Sequence, residues 1–135
     1  MAISDNLNIA LLGLGRAGKF HIQSIQSIPG ISLRCVVDVD ESLAKRLAKE
    51  LDCNYASDVD GPLGQADVDA VIVASPTHEH YGQILAALGA GKAVFTEKPL
   101  GSSLEEIDSC FGLAKRSGLP LFVGFNRRFD PSFSS

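Results

Sequence analysis

The chain has 135 residues and a formal net charge of −4, and 45% of its residues are hydrophobic and 21% are charged. This is the length of one domain and the composition of an ordinary globular protein. No Lys or Arg run is longer than two, which argues against a nucleic-acid or anionic membrane partner, because phosphate binding requires a concentrated basic surface. Three cysteines without a Cys-x-x-Cys pair, no evident signal peptide and no apolar run near the ~20 residues of a membrane span predict a cytoplasmic protein.

Short, continuously apolar runs alternate along the chain with longer segments of helical period. Such runs are typical of strands that are buried on both faces of a parallel sheet. The predicted strands are, in chain order, Leu7–Leu12, Ile31–Val37, Asn54–Ala56, 70–74, 93–96 and Leu121–Gly124. Apolar residues spaced three or four positions apart predict helices around 43–51, 81–88 and 104–114, and another helix is expected after the first strand.

The last of these helices also carries signals at both ends. Ser102-x-x-Glu105 and Ser103-x-x-Glu106 are alternative capping boxes at its start, and Gly118 stands where a left-handed residue would end it. Alternating strands and helices predict βαβ units with right-handed crossovers. Six strands in two halves of three predict an α/β fold, a doubly wound parallel sheet of the Rossmann dinucleotide-binding type.

A glycine-rich turn, Gly13-Leu14-Gly15-Arg16-Ala17-Gly18, follows the first strand directly and opens a helix. In a dinucleotide site, Gly13 would make the tight turn, Gly15 would let the backbone approach a pyrophosphate, and Gly18 would let the helix pack closely on the sheet. The helix N-terminus presents backbone N–H groups and a positive dipole to the phosphates. We therefore expect this turn, including Arg16 and Ala17, to bind the cofactor.

Asp38 ends the second strand, 20 positions beyond Gly18. A carboxylate at this place accepts hydrogen bonds from the 2′ and 3′ hydroxyls of the adenosine ribose and repels a 2′-phosphate, so the predicted cofactor is NAD and not NADP. Asp38 could instead cap the next helix, although Asp40 is the better candidate for that role.

Three polar segments follow the ends of later strands: Ser75-Pro76-Thr77-His78-Glu79-His80, Glu97-Lys98-Pro99 and Asn126-Arg127-Arg128. Ligands of an open parallel sheet bind beyond the carboxyl ends of its strands, near the switch in strand order. These segments are therefore predicted to face the cofactor. Thr77 is also a plausible N-cap. His78 and His80 offer too few spaced ligands for a metal site, and no metal is expected.

Taken together, these motifs resemble the family of glucose-fructose oxidoreductase and inositol dehydrogenase, over essentially the whole chain. The residues that carry the resemblance are the glycine turn with His21 after it, Asp38, Ser75-Pro76-Thr77-His78, Glu97-Lys98-Pro99 and the segment 124–131. The last two segments are most similar to inositol 2-dehydrogenases. The resemblance implies NAD as cofactor and a polyol or sugar as small-molecule substrate.

The resemblance also implies roles for individual residues. Lys98 matches the family's active-site lysine, which contacts the hydroxyl that is oxidised, and it is the predicted catalytic residue; an amine at this place can assist removal of the hydroxyl proton. Glu97 is predicted to orient Lys98 or to bind the nicotinamide ribose, Pro99 to restrict the Lys98 backbone and to allow a cis bond, and His21 to pack beneath the glycine turn. The predicted contacts to the nicotinamide half are Ser75, Pro76, Thr77, His80, Glu97, Lys98, Asn126 and Arg127.

Enzymes of the resembled family carry a second, sheet-rich domain that supplies the substrate pocket, further catalytic residues and the oligomer surface. Residues 1–125 are expected to form the Rossmann domain and 126–135 the start of a linker to such a C-terminal α+β domain, which this sequence lacks. The predicted function is the cofactor-binding part of an inositol 2-dehydrogenase-like enzyme, inactive as this chain alone. The alternative is a stand-alone NAD-binding module or sensor. Either a homo-oligomer or a second chain that supplies the substrate domain is expected.

Overall fold

In the computed structural model, which describes residues 7–124, six strands form one parallel sheet in the order β3-β2-β1-β4-β5-β6. The strands are β1 (Leu7–Leu12), β2 (Ile31–Val37), β3 (Asn54–Ala56), β4 (Ala70–Val73), β5 (Ala93–Glu97) and β6 (Leu121–Gly124). The helices are α1 (Arg16–Gln26), α2 (Glu41–Leu51), α3 (Asp60–Leu63), α4 (His80–Gly89) and α5 (Leu104–Ser117), with a 3₁₀ turn at Thr77–Glu79. This order confirms the predicted doubly wound sheet.

The central strands are buried on both faces, and this explains their continuous apolar runs. Neighbouring residues of a strand point to opposite sides of a sheet. In β1, Leu11 packs with residues of α1 and α2, whereas Leu12 packs with residues of α3, α4 and α5, and both side chains are fully buried. The sheet thus divides the core into two apolar clusters. Within residues 7–124, no helix combines the length and the hydrophobicity needed to cross a membrane.

The ends of α5 confirm one of the two alternative capping boxes. The Ser103 hydroxyl accepts a hydrogen bond from the Glu106 backbone N–H at 3.2 Å, and the Glu106 carboxylate accepts one from the Ser102 backbone N–H at 2.8 Å. Ser103 is therefore the N-cap, and the alternative box that begins at Ser102 is wrong. Gly118 ends the helix with a φ of 69°, as predicted.

The end of α2 and the start of α4 were less evident in the sequence. Asp40 caps α2 by accepting a hydrogen bond from the Leu43 N–H at 3.2 Å, but α2 ends at Asp52 with a φ of 57°, without the glycine that usually marks such an end. The predicted N-cap role of Thr77 is wrong, because Thr77 begins the 3₁₀ turn that precedes α4 and its side chain makes no capping bond there.

The face of the sheet on the α1 side is covered unevenly. Beside α1, a groove of about 570 Å³ runs along β4, β5 and β6. Apolar side chains line most of it, including Ile28, Ile72, Phe95 and Phe122, and 62% of Phe122 is exposed. We refer to this feature as the apolar groove.

All three cysteines are free thiols, and two of them, Cys35 and Cys110, are buried. Burial raises the pKa of the Cys35 thiol from its ordinary 9.0 to about 11, and the neighbouring Cys53 adds to the rise. Burial also raises the pKa of Cys53 and of Cys110. The thiolate, which is the reactive form of cysteine, is therefore disfavoured at all three positions.

The raised pKa of Cys35 predicts a loss of stability in alkali. The thiol ionises near pH 9.0 in the unfolded chain and near pH 11 in the folded chain. The contribution of the protonated thiol to folding stability is therefore complete below the unfolded pKa and is lost as the pH rises towards the folded pKa. The free energy of unfolding should fall by about 2 kcal/mol over this range. Urea unfolding followed across this range for the natural chain and for Cys35→Ala would check it; the variant should lose less stability with pH, and equal pH dependence in the two proteins would contradict the assignment.

Candidate cofactor site

A cleft of about 710 Å³ opens beyond the carboxyl ends of β1, β2 and β4. It lies where the strand order switches, because β1 pairs with β2 on one side and with β4 on the other. Ligands of doubly wound sheets bind at this place. The residues that line the cleft include Gly13, Leu14, Gly15, Asp38, Ser75 and Pro76, so the structure brings together three of the sequence motifs.

The glycine turn fits between β4 and α1 because two of its three glycines, Gly13 and Gly18, lie where a side chain would clash with backbone. Gly13 has a φ of 101°, and a Cβ there would lie 2.6 Å from the backbone oxygen of Ala74. A Cβ on Gly18 would lie 2.0 Å from the backbone oxygen of Gly13. Both distances are far below van der Waals contact, so the predicted roles of Gly13 in the turn and of Gly18 in close packing agree with the geometry.

Gly15 has a different environment from the other two glycines. It precedes the first residue of α1, and among residues 7–124 a Cβ added to it would meet no atom within 4 Å and no side chain caps the helix. By contrast, side chains cap both α2 and α5. Because Gly15 lines the cleft, α1 begins at the cleft without a side-chain cap, and the residues present fit the pyrophosphate of a dinucleotide.

The Asp38 carboxylate is held in place by backbone on both sides. Its Oδ2 accepts a hydrogen bond from the Leu14 N–H at 2.9 Å, and its Oδ1 accepts one from the Asp40 N–H at 2.9 Å. Each carboxylate oxygen can accept a further hydrogen bond, and the side chain lines the cleft. Because Asp40 caps α2, the alternative role of Asp38 as that helix cap is wrong.

In the cleft wall formed by the loop after β4 and the start of α4, three polar side chains are connected by hydrogen bonds. The Ser75 hydroxyl donates to Gln83 Oε1 at 2.5 Å, and Gln83 Nε2 donates to Glu79 Oε1 at 3.2 Å. Ser75, Glu79 and Gln83 all line the cleft, together with the exposed His78. Thr77 is exposed and lies outside the described cleft lining.

Several lining residues were missed from the sequence. Val39, Ser57, Asp58 and Val59 belong to the cleft. Ser57 and Asp58 directly follow β3, so the rule that ligands bind beyond strand ends would have found them. Gln83 lies four residues, about one helical turn, after Glu79, and this spacing would have indicated that their side chains are neighbours.

His80 is buried, and its ring contacts backbone instead of the cleft. Its Nδ1 lies 2.8 Å from the carbonyl oxygen of Pro99, and its Nε2 lies 2.8 Å from the carbonyl oxygen of Ser75. The ring is 5% exposed and is not part of the cleft lining. His80 thus lies between two of the predicted polar segments.

Glu97 faces the α1 side of the sheet. Its Oε2 lies 3.2 Å from Nε2 of His21, and both side chains are buried. The His21 ring meets Phe95 edge-on at a centroid distance of 5.8 Å. Both Glu97 and His21 line the apolar groove and neither lines the cleft.

Lys98 is exposed immediately beyond β5, and the Lys98–Pro99 peptide bond is cis, as the sequence allowed. The strands β4 and β5 are neighbours in which Val73 pairs with Thr96, so Lys98 leaves the sheet beside the loop that begins at Ser75. Asn126 and Arg127 lie outside the described residues.

No group of three or more His, Cys, Asp or Glu side chains suited to a metal occurs among residues 7–124. His78 Nε2 lies 3.7 Å from a carboxylate oxygen of Glu79, whereas the His80 ring faces backbone carbonyls. The two imidazoles therefore have separate partners.

The oxidoreductase family with an NAD-binding Rossmann fold matches residues 7–125. The chain belongs to this family. It is 40% identical over 134 residues to a scyllo-inositol 2-dehydrogenase (NAD(+)) of Bacillus subtilis, a match that covers 98% of this chain and 39% of the relative. It is 35% identical over 127 residues to an inositol 2-dehydrogenase of Rhizobium meliloti, covering 94% of this chain and 38% of the relative.

A solved structure supports the same assignment. The scyllo-inositol dehydrogenase of Lactobacillus casei with bound NAD(H) and scyllo-inositol superposes with a TM-score of 0.85 at 36% identity, covering 96% of this chain and 39% of that one. These comparisons confirm the family resemblance, the Rossmann fold and NAD as the cofactor of the family. The chain spans only 36% to 40% of the length of the curated relatives it matches.

The glycine geometry predicts that Gly18→Ala will destabilise the domain by about 3 kcal/mol. The added Cβ would meet the backbone oxygen of Gly13 at 2.0 Å, and backbone cannot move aside as a flexible side chain can. Gly89→Ala, in α4, is the control, because its Cβ would meet no atom within 4 Å and alanine is the better helix former by up to about 1 kcal/mol. Urea unfolding measures both, and equal free energies of unfolding would contradict the close-packing role.

Proposed function

We propose that this chain binds NAD in the cleft and forms the cofactor half of an inositol 2-dehydrogenase-like enzyme, which oxidises a secondary hydroxyl of a polyol or sugar. The observation that carries the proposal is the Asp38 carboxylate, bound to the N–H groups of Leu14 and Asp40 at the open edge of the glycine turn. This arrangement provides an anion for ribose hydroxyls directly beside an uncapped helix N-terminus for phosphates.

The two halves of the cleft would hold the two halves of the dinucleotide. Asp38 would hold the adenosine ribose, and Gly15 at the start of α1 would hold the pyrophosphate, with Arg16, Ala17 and Gly18 continuing that turn. The loop that begins at Ser75 and Pro76 would hold the nicotinamide half. When bound, the nicotinamide supplies a hydride acceptor.

Lys98 is the proposed catalytic residue. Oxidation of a secondary alcohol requires that the hydroxyl lose its proton, and the Lys98 amine in its neutral form can accept that proton. Its place just beyond β5, beside the loop after β4, supports this role. Thr77, Asn126 and Arg127 complete the proposed contacts around the nicotinamide and the substrate.

Glu97 supports the end of β5 in this proposal without touching the cofactor. Its carboxylate lies 3.2 Å from the His21 ring on the α1 side of the sheet. The pair joins α1, which carries the phosphate site, to the strand that precedes Lys98. Glu97 therefore orients the lysine through the backbone.

The free thiols support a reducing compartment, the cytoplasm, as the site of action.

The exposed Phe122 in the apolar groove supports association with a second copy or with a chain that supplies the substrate pocket. The alternative function, a stand-alone NAD-binding module, would be selected by NAD binding without turnover of any polyol even after a polypeptide that carries the remaining part of a relative is added.

Calorimetric titration with NAD and with NADP tests the cofactor site. The natural chain should bind NAD in preference to NADP, and Asp38→Asn should weaken NAD binding by about tenfold or more while NADP loses less, because a charge-assisted acceptor is worth roughly 1.5–3 kcal/mol. Asp40→Asn is the control, since asparagine caps a helix as well as aspartate. Equal binding of both cofactors by the natural chain, or no binding, would contradict the proposed role of Asp38.

Turnover tests the role of Lys98. NADH formation from myo-inositol and scyllo-inositol should be measured with this chain alone and after addition of a polypeptide that carries the remaining part of a relative. Lys98→Met should reduce turnover by roughly a hundredfold or more and leave NAD binding within about threefold of the natural chain, whereas Lys49→Met, on the exposed side of α2, should retain turnover. Full turnover by Lys98→Met would exclude the proposed proton acceptor.

A further inference from the structure

We propose that His80 is a positioning residue, which fixes the Lys98–Pro99 segment against the loop after β4 and so places the Lys98 amine beside the cofactor cleft. The inference rests on the proposed function in so far as it concerns Lys98. It assigns His80 a role through backbone contacts instead of direct contact with NAD.

The geometry of the ring carries the first step. Its two nitrogens lie 2.8 Å from the carbonyl oxygens of Pro99 and of Ser75, a normal hydrogen-bond length. A carbonyl oxygen only accepts, so both contacts are hydrogen bonds when both ring nitrogens carry hydrogen and each donates to its carbonyl, whereas a ring with a single N–H donates to one of the two. One side chain thus fixes the separation of two backbone segments that are 24 residues apart in the sequence.

The sheet explains why such a connection is needed. The β4–β5 ladder has Val73 paired with Thr96 as its last register pair, so Ser75 and Pro99 both lie beyond it. The contacts of His80 with the carbonyls of Ser75 and Pro99 connect the two segments beyond the last backbone pair of the ladder. Because the Ser75 side chain lines the cleft, the connection joins the cleft wall directly to the segment that carries Lys98.

The ring is itself well anchored. His80 is the first residue of α4, and Ile84, Ala87 and Leu88 of that helix are buried in the core. The residue is 5% exposed and belongs to a helix that packs into the core, so neighbouring atoms restrict the position of its ring. It sets the position of both carbonyls, in the way that outer residues orient the reacting groups of an active site.

Nuclear magnetic resonance of the natural chain gives a test that needs no substitution. The His80 ring should show a slowly exchanging N–H and ring ¹⁵N shifts of a hydrogen-bonded imidazole, whereas the exposed His78 ring should exchange rapidly with solvent. A His80 ring that exchanges as fast as that of His78 would overturn the connection, independently of any cofactor.

Three variants then separate positioning from stability. His80→Phe keeps a ring but removes its nitrogens, and should shift the amide resonances of Ser75 and Lys98. Because Ser75 lines the cleft, its displacement should also weaken NAD binding by roughly tenfold. His80→Gln keeps an N–H donor and should restore most of that affinity. Ile84→Val, one turn further along α4, should lower the melting temperature but leave both resonances and NAD affinity unchanged.

The outcomes are distinguishable from failure of the proposed function. If the natural chain binds no NAD, the proposed function fails, while the ring exchange and the Ser75 and Lys98 resonances still decide the connection. If His80→Phe leaves those resonances and NAD affinity as in the natural chain, or if His80→Gln fails to restore either, the positioning role is overturned.

Discussion

The cleft depends on close approach of backbone to backbone at the glycine turn. Gly13 lies against the backbone of Ala74 and Ser75, and the carbonyl of Gly13 in turn lies against Gly18. These contacts leave no room for side chains, so they fix where α1 begins relative to β1 and β4. The uncapped N-terminus of α1, the position of Asp38 across the turn and the loop that begins at Ser75 are all consequences of that approach.

The same sheet separates two kinds of environment at its carboxyl edge. Successive residues of a strand point to opposite faces, and in β5 this sends Phe95 and Glu97 to the α1 side while Thr96 is buried on the other side. Glu97 therefore meets His21 in a buried pair. Lys98, the next residue, lies beyond the strand and is exposed. Two neighbouring residues of one motif thus have different surroundings, one buried against His21 and the other exposed to solvent.

Much of the fold could be predicted from the sequence because its signals are local. Short apolar runs indicated the strands, with a weaker signal at Asn54–Ala56, and β4 is one residue shorter and β5 one residue longer than expected. Gly118 and the Ser103 box indicated the ends of α5 for the same reason. The short α3 and the 3₁₀ turn at Thr77–Glu79 were missed, since segments of three or four residues have no periodicity to read.

The candidate site was predictable only where its chemistry depends on residue type at a fixed spacing. The glycine turn and Asp38 meet that condition. His80 does not, because its partners are the carbonyls of Ser75 and Pro99, and backbone atoms carry no sequence signal. The side to which Glu97 points depends on strand register, and the inclusion of Ser57 and Asp58 depends on how β3 lies beside β2, both of which require the assembled sheet.

The fixed carboxylate of Asp38 has a thermodynamic consequence for ligand capture. A side chain that must be ordered when a ligand arrives costs roughly 0.5–1.5 kcal/mol of conformational entropy. Here two backbone N–H groups already hold both oxygens, so little rotational freedom remains to be lost. Preorganisation of this kind means that a ligand hydroxyl that donates to Asp38 meets a carboxylate already ordered, so the free energy of that hydrogen bond is offset little by loss of side-chain entropy.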